Sequence, residues 1–360
     1  MRENASGFMD LTNCAWMVRE LGEPVSCVHL LDDASILVGG WDGCIKYWSD
    51  EGDLIWSTMA SNRVSAMVRN QDHVYVTSGL DVVCLSLRDG QEKWSIALEG
   101  SADSLVATEA CLFATSSVYD IEHNDFIESA VWVISFQGEV MKAHRMAERP
   151  WTLSTCDNGV ITGIGRPLNG YIIFDENGDI VDREDDWDSP TICATGQNNP
   201  VFGLADGSLR TPSGTILKKM SSAITDVDQF DESYIVAEEN GRVEWFDKNR
   251  NWTSNGSKVV ALSHGFTIQD YRTIWIARWN GSQGELNVRS ADAGEFLASL
   301  PKKRIHSIAS SNARMAVGCE NGQVYVWDKV LFERRISQPV ENQSDVSRNE
   351  MLKRLRALRK

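Results

Sequence analysis

The chain has 360 residues, 42% of them hydrophobic and 24% charged, which is enough to bury a large core. Its net charge of −16 and pI near 4.9 argue against a protein body that grips nucleic-acid phosphates, because such contacts need clustered Lys and Arg. No apolar run approaches the roughly 20 residues of a membrane-spanning helix.

The first ten residues are polar, without the basic start and apolar run of an export signal, which predicts a cytoplasmic protein. Eight cysteines (14, 27, 44, 84, 111, 156, 193 and 319) form no CxxC pair and do not gather with the six histidines. Zinc needs closely spaced ligands, so these cysteines read as small buried hydrophobes in a reducing compartment, and no metal or other cofactor is expected.

From residue 25 a pattern repeats. An apolar strand, a Gly-containing turn and a second strand ending in an aromatic recur at ILVGGWDGCIKYW (36–48), VFGLADGSL (201–209), IVAEENGRVEW (235–245) and MAVGCENGQVYVW (315–327). The turn glycines Gly43, Gly207, Gly241 and Gly322 each follow Asp or Asn, the pairing that a tight hairpin turn requires. Each unit opens with a small or apolar strand, near Val25, Val64, Ser104, Trp151, Pro190, Ile224, Val259 and Ile305. Residues 25–336 divided among eight units give 39 residues each, room for four short strands and their turns. The expected fold is therefore all-β: a single β-propeller of about eight four-stranded blades over residues 1–336, whose ring closure protects the strand edges. The short fifth and sixth units leave seven blades as the alternative count.

Two spacings are long. The third unit carries Ser116–Ser129 as a polar insertion in the turn between its second and third strands, and the seventh has slack at 265–272 and 280–284. A strand at about 14–21 can close the ring, in competition with Val330–Ile336. Asp175–Asp179 spaces its oxygen ligands like a calcium loop but occupies the place of an ordinary strand-connecting turn. Residues 337–347 read as a linker. Residues 348–360 read as a basic amphipathic helix with Met351, Leu352, Leu355 and Leu358 on one face.

The phrases Glu51–Trp56 and Asp89–Trp94 resemble the quinoprotein (PQQ-like) propeller repeat, in which a turn glycine is followed four residues later by a Trp that packs between blades. Gly318–Asp328, ending Val326-Trp327-Asp328, is similar to a WD40 repeat, although the WD40 Gly-His dipeptide and the tetrad it implies are missing. The resemblance to quinoproteins also implies a rival function: quinone-dependent or other small-molecule chemistry in the central channel. Quinoprotein dehydrogenases are exported and use calcium, a catalytic Asp and often a vicinal disulfide, and this chain lacks the signal and the adjacent cysteines. GxSxG, HExxH and Walker A motifs are also absent, so the chain is expected to be non-catalytic.

In a propeller, the turns between second and third strands share one face with the links between blades, and loops on a rigid scaffold concentrate binding residues. The partner-binding candidates on that face are Trp41, Asp42, Tyr119, Asp120, Arg166, Trp187, Arg278 and Trp279, flanked by Glu238, Glu239, Glu320, Arg63, Arg149, Trp151 and Asp186. Aromatics and Arg dominate interface hot spots. Leu355 and Arg356 of the terminal helix would make a second contact. The expected function is a monomeric interaction scaffold for a protein or peptide, with acidic loops that favour a basic segment.

Overall fold

The computed structural model describes residues 9–336 apart from 123, 158 and 196–199. Eight four-stranded antiparallel sheets are arranged as blades, which settles the count at eight. Blade 1 runs Val25–Leu30, Ile36–Gly40, Cys44–Trp48 and Leu54–Met59 from the inside outwards. The short blade 5 is complete as Thr191–Thr195, Val201–Leu204, Ser208–Arg210 and Ile216–Lys219. First strands of successive blades contact one another around the ring, including blade 8 (Ile305–Ser310) against blade 1, and so form the inner wall.

The hairpin turns follow the chemistry of their residues. Gly43, Gly207, Gly241 and Gly322 have φ between +81° and +93°, which only glycine adopts without strain. The residue before each turns its side chain back: Asp42, Asp206, Asn240 and Asn321 accept from the N–H of Cys44, Ser208, Arg242 and Gln323.

Neighbouring blades lock by two devices. A second-strand glycine makes room for the first buried residue of the next blade: a Cβ on Gly39, Gly203 or Gly318 would lie within 2.5 Å of Val64, Ile224 or Val25. On the outside, Trp56 and Trp94 lie across the turn glycines Gly90 and Gly138 of the following blade and donate to the carbonyls of Leu87 and Phe136. Trp252 repeats the arrangement on Gly294 and Ala291 O, although its own turn has Lys248 where the motif has glycine.

The closing strand is Met17–Glu20, antiparallel to the third strand of blade 8, Gln323–Asp328, with Met17 opposite Val326. Val330–Ile336, the rival strand, is instead part of a helix, Lys329–Ile336. Its Phe332 is fully buried against Phe266 and Trp275, with ring centres 5.2 and 5.8 Å apart. A short helix at Leu11–Cys14 fills the same seam, and Met9–Asp10 adds a fifth strand to blade 7. The slack at 265–272 lengthens the first two strands of blade 7, Lys258–Ile268 and Tyr271–Trp279, which supply the pocket for Phe332. The third-unit insertion is likewise hairpin rather than loop: Leu112–Asp120 and Asp125–Ile134 pair along their length, with one irregularity between Val118 and Tyr119. Residues 337–360, and with them the expected linker and basic helix, lie outside the described residues.

Candidate interaction face

One backbone irregularity recurs in every blade. The pairing of first with second strand slips near the start of the first strand, leaving an extra residue bulged: Ser26, Ser65, Trp151, Ile192, Thr225, Val260 and His306, with Asp103–Ser104 in blade 3. First strands begin where the inter-blade links arrive, so the bulges form a ring at the inner rim of the loop face. Sequence periodicity alone gives no sign of them, because a single extra residue leaves the alternation on either side intact.

Side chains from the links and hairpins gather over this rim in two groups. Trp41, 44% exposed, lies 5.9 Å from the His306 ring, and the Arg63 guanidinium sits 3.8 Å above its indole. Beside them Arg304 stacks on Trp279 at 4.5 Å and pairs with Glu320 at 2.7 Å. In the second group Tyr119 packs on Phe126 (5.0 Å), and Arg149 lies 3.6 Å from Phe126 and 4.2 Å from the bulged Trp151. Asp103 faces Arg149 at 3.9 Å. Burial raises the Asp103 pKa against the opposing pull of Arg149 and Arg63, and it lowers that of His306, with Arg304 and Arg63 adding to the shift. Arg63 thus acts on both groups across the rim.

The sequence candidates divide accordingly. Trp41, Tyr119 and Trp279 stand on the rim. Asp42 serves its turn, Asp120 accepts from the N–H of Glu122, and Arg166 is exposed at the blade 4 turn, outside both groups. Arg278 is only 2% exposed and so presents no surface: its guanidinium donates to the carbonyls of Gly241, Ser257 and Ser254, tying blade 7 to blade 6. Trp187, 6% exposed, is wedged against Tyr171 and Phe202 at 5.4 Å each. Glu238 is buried and accepts from Ser221 and Ser222. Leu355 and Arg356 lie outside the described residues. Sequence reasoning missed Phe126, Arg304, His306 and Asp103; the all-basic link Lys302-Lys303-Arg304 was the available signal for one of them.

The opposite face is made of the turns between first and second and between third and fourth strands. These turns hold eighteen carboxylates and three cations, against eleven and six in the turns and links of the loop face. Trp41, Leu80, Ile121 and Leu168 are exposed in the loop-face turns, with Tyr119 and Trp151 beside them; among the described residues no exposed large hydrophobic lies in the opposite turns, and Leu54, Val140, Ile180 and Ile216 are exposed at the strand starts that follow them. Asp175 Oδ1 accepts from the N–H of Asn177 and Asp179, so that segment is an ordinary turn.

The channel would need free, gathered carboxylates to hold a quinone and its calcium. Its inner carboxylates are engaged: Asp228 accepts from the backbone and ring of His264, and Asp226 from the N–H of Leu262. Among the described residues no three His, Cys, Asp or Glu gather as metal ligands, so these residues do not fit such a group. The thiols of Cys14, Cys27 and Cys319 are pushed up to about 12, chiefly by burial, which makes them poor nucleophiles.

The profile of the family described as outer membrane protein assembly factor BamB matches residues 15–181, the closing strand, the first three blades and most of the fourth. Among solved structures, BamB from Moraxella catarrhalis is 14% identical, with a TM-score of 0.67 over 87% of this chain and 96% of its own. Saccharomyces cerevisiae Sqt1 is 9% identical (TM-score 0.69; 88% and 99% covered), and the computationally designed Ika8 protein 17% (0.65; 86% and 98%). No curated protein matches. The chain is a β-propeller repeat protein, and its residues 15–181 are similar to the PQQ-like family model. No helix among the described residues is long and apolar enough to cross a membrane.

Proposed function

We propose that this propeller is a non-catalytic, monomeric scaffold of the cytoplasm that captures a protein segment on its loop face. The observation that carries the reading is the rim itself: exposed aromatics and stacked arginines converge on one mouth of a rigid ring, the composition of interface hot spots. The matching family is described as an assembly factor, which accords with this reading. The propeller ends at 336, residues 337–347 link, and the basic helix at 348–360 makes a second contact through Leu355 and Arg356. A basic stretch elsewhere in the partner would find its charge complement on the carboxylate-rich opposite turns.

A photo-crosslinking residue placed at position 41 or at position 89 of the full chain tests the reading. Captured protein should crosslink from 41, and less of it should be retained when Leu355→Glu and Arg356→Glu are introduced. Crosslinks from 89 alone would overturn the loop-face assignment. The rival reading, an enzyme using the channel, has its best ground in a hollow of about 470 Å³ at the opposite mouth lined by Asp228, His264 and Arg272. Asp228 there is held by His264, which favours a structural role.

A further inference from the structure

We propose, resting on the loop-face reading, that the rim receives an acidic protein segment, with carboxylates on Arg63 and Arg149 and apolar side chains against Trp41 and Trp151. In the two rim groups three arginines lie over aromatic rings, and only one of these has a close carboxylate. Arg304, stacked on Trp279, is paired with Glu320 at 2.7 Å. Arg63, stacked on Trp41, forms no ion pair among the described residues. Arg149, held by Phe126 and Trp151, reaches its nearest carboxylate only at 3.9 Å, and its Nε–H is buried without a partner. The Arg304–Glu320 pair therefore displays within the chain the contact that the other two arginines lack.

Stacking fixes the plane of a guanidinium and leaves its edge free, so less freedom is lost when a carboxylate binds it in parallel bonds. Aromatics beside each edge supply apolar area for the residues flanking such a carboxylate. A basic segment would meet these cations with like charge, which argues against the terminal residues 348–360 as occupant. A nucleic acid fits poorly as well. Asp42, Asp103 and Glu320 stand among the arginines of a chain of net charge −16, so successive phosphates would be repelled where isolated carboxylates on a neutral backbone would not.

Panning a random peptide library against the full chain decides the matter. Acidic sequences carrying an apolar residue should be enriched, and their affinity should fall with added salt. It should also fall at least roughly tenfold on Arg63→Ala or Arg149→Leu and stay unchanged on Arg88→Ala in the opposite turns. Arg149→Lys keeps the charge without the planar fork and should lose part of the affinity; with the exposed Arg63→Ala, it carries the test if Arg149→Leu fails to fold. Enrichment of neutral or basic peptides that crosslink from position 41 and ignore both arginines would overturn the acidic assignment while leaving the loop-face reading intact. Peptides that crosslink only from position 89, or no enrichment, would overturn both. Oligouridine that displaces the selected peptides and binds more tightly would identify the rim as a nucleic-acid site and refute the proposal.

Discussion

The two faces of this ring are built from the same strands, yet they spend their side chains differently. On the loop face the turns are short and repetitive, so the residues beside them are free to project; Trp41, Tyr119 and Trp151 do so, over a rim of bulged residues. On the opposite face the turns themselves are rich in carboxylate, and the large aromatics beside them pack between blades: Phe332 seals the seam of blades 7 and 8, and Trp56, Trp94 and Trp252 lie across the turn glycines. Both ends of the ring carry contacts between blades, Arg278 among them on the loop face, but only the loop face adds exposed aromatics that the fold does not need.

Five substitutions would break or sharpen that division. The largest effect is expected from Phe332→Ala on the turn face: a fully buried ring is lost, and denaturant titration should show destabilisation of about 3–5 kcal/mol. Next comes Gly318→Ala, whose added methyl would lie 2.2 Å from Val25 Cγ1; overpacking of this kind costs about 1–3 kcal/mol and should appear as a lowered Tm.

The third change concerns pH. Burial first, and Asp228 second, raise the Asp226 carboxyl to about 7, so its ionisation opposes the fold. The stability it contributes is present below the unfolded pKa near 4 and is lost as pH rises through 7. Asp226→Asn, which keeps an acceptor for Leu262, should therefore gain on the parent by about 1 kcal/mol between pH 4 and pH 8, a figure kept small because the side chain is not sealed from the channel. Melting curves at the two pH values check this, and an equal offset at both would contradict it. Last, Trp41→Ala and Arg63→Ala should change stability by less than about 0.5 kcal/mol, since exposed positions away from caps and cores rarely do more. A loss above 2 kcal/mol in either would erase the distinction between the faces.

Much of this architecture was legible because it is local. A positive φ and an Asx side chain are properties of two adjacent residues, so Asp42-Gly43 and Asn321-Gly322 announce their turns. The same holds for Gly52 to Trp56 and Gly90 to Trp94. Where the contact is set by another blade, residue type misleads: Arg278 and Trp41 both stand near Gly-rich turns, yet Arg278 points at the free carbonyls of Gly241 and Ser257 and is consumed by them. Lys329–Ile336 has the β-branched and aromatic content of a strand and becomes a helix because the lengthened blade 7 offers Phe332 a pocket. Half of the rim depends on bulges, which no spacing rule reveals, and so His306 and Asp103 were out of reach.

The pairing of Met17–Glu20 with Gln323–Asp328 has a kinetic side. It joins segments some three hundred residues apart, so the last blade must be synthesised before the first can be clasped. Until then the outer edge of blade 8 and the inner seam of blade 1 stay open to other strands, the condition under which repeat proteins exchange segments or aggregate. A circular permutant opened in the link at 60–63 and joined across the present ends would turn this long-range clasp into a short-range one. It should then fold faster than the parent at similar stability.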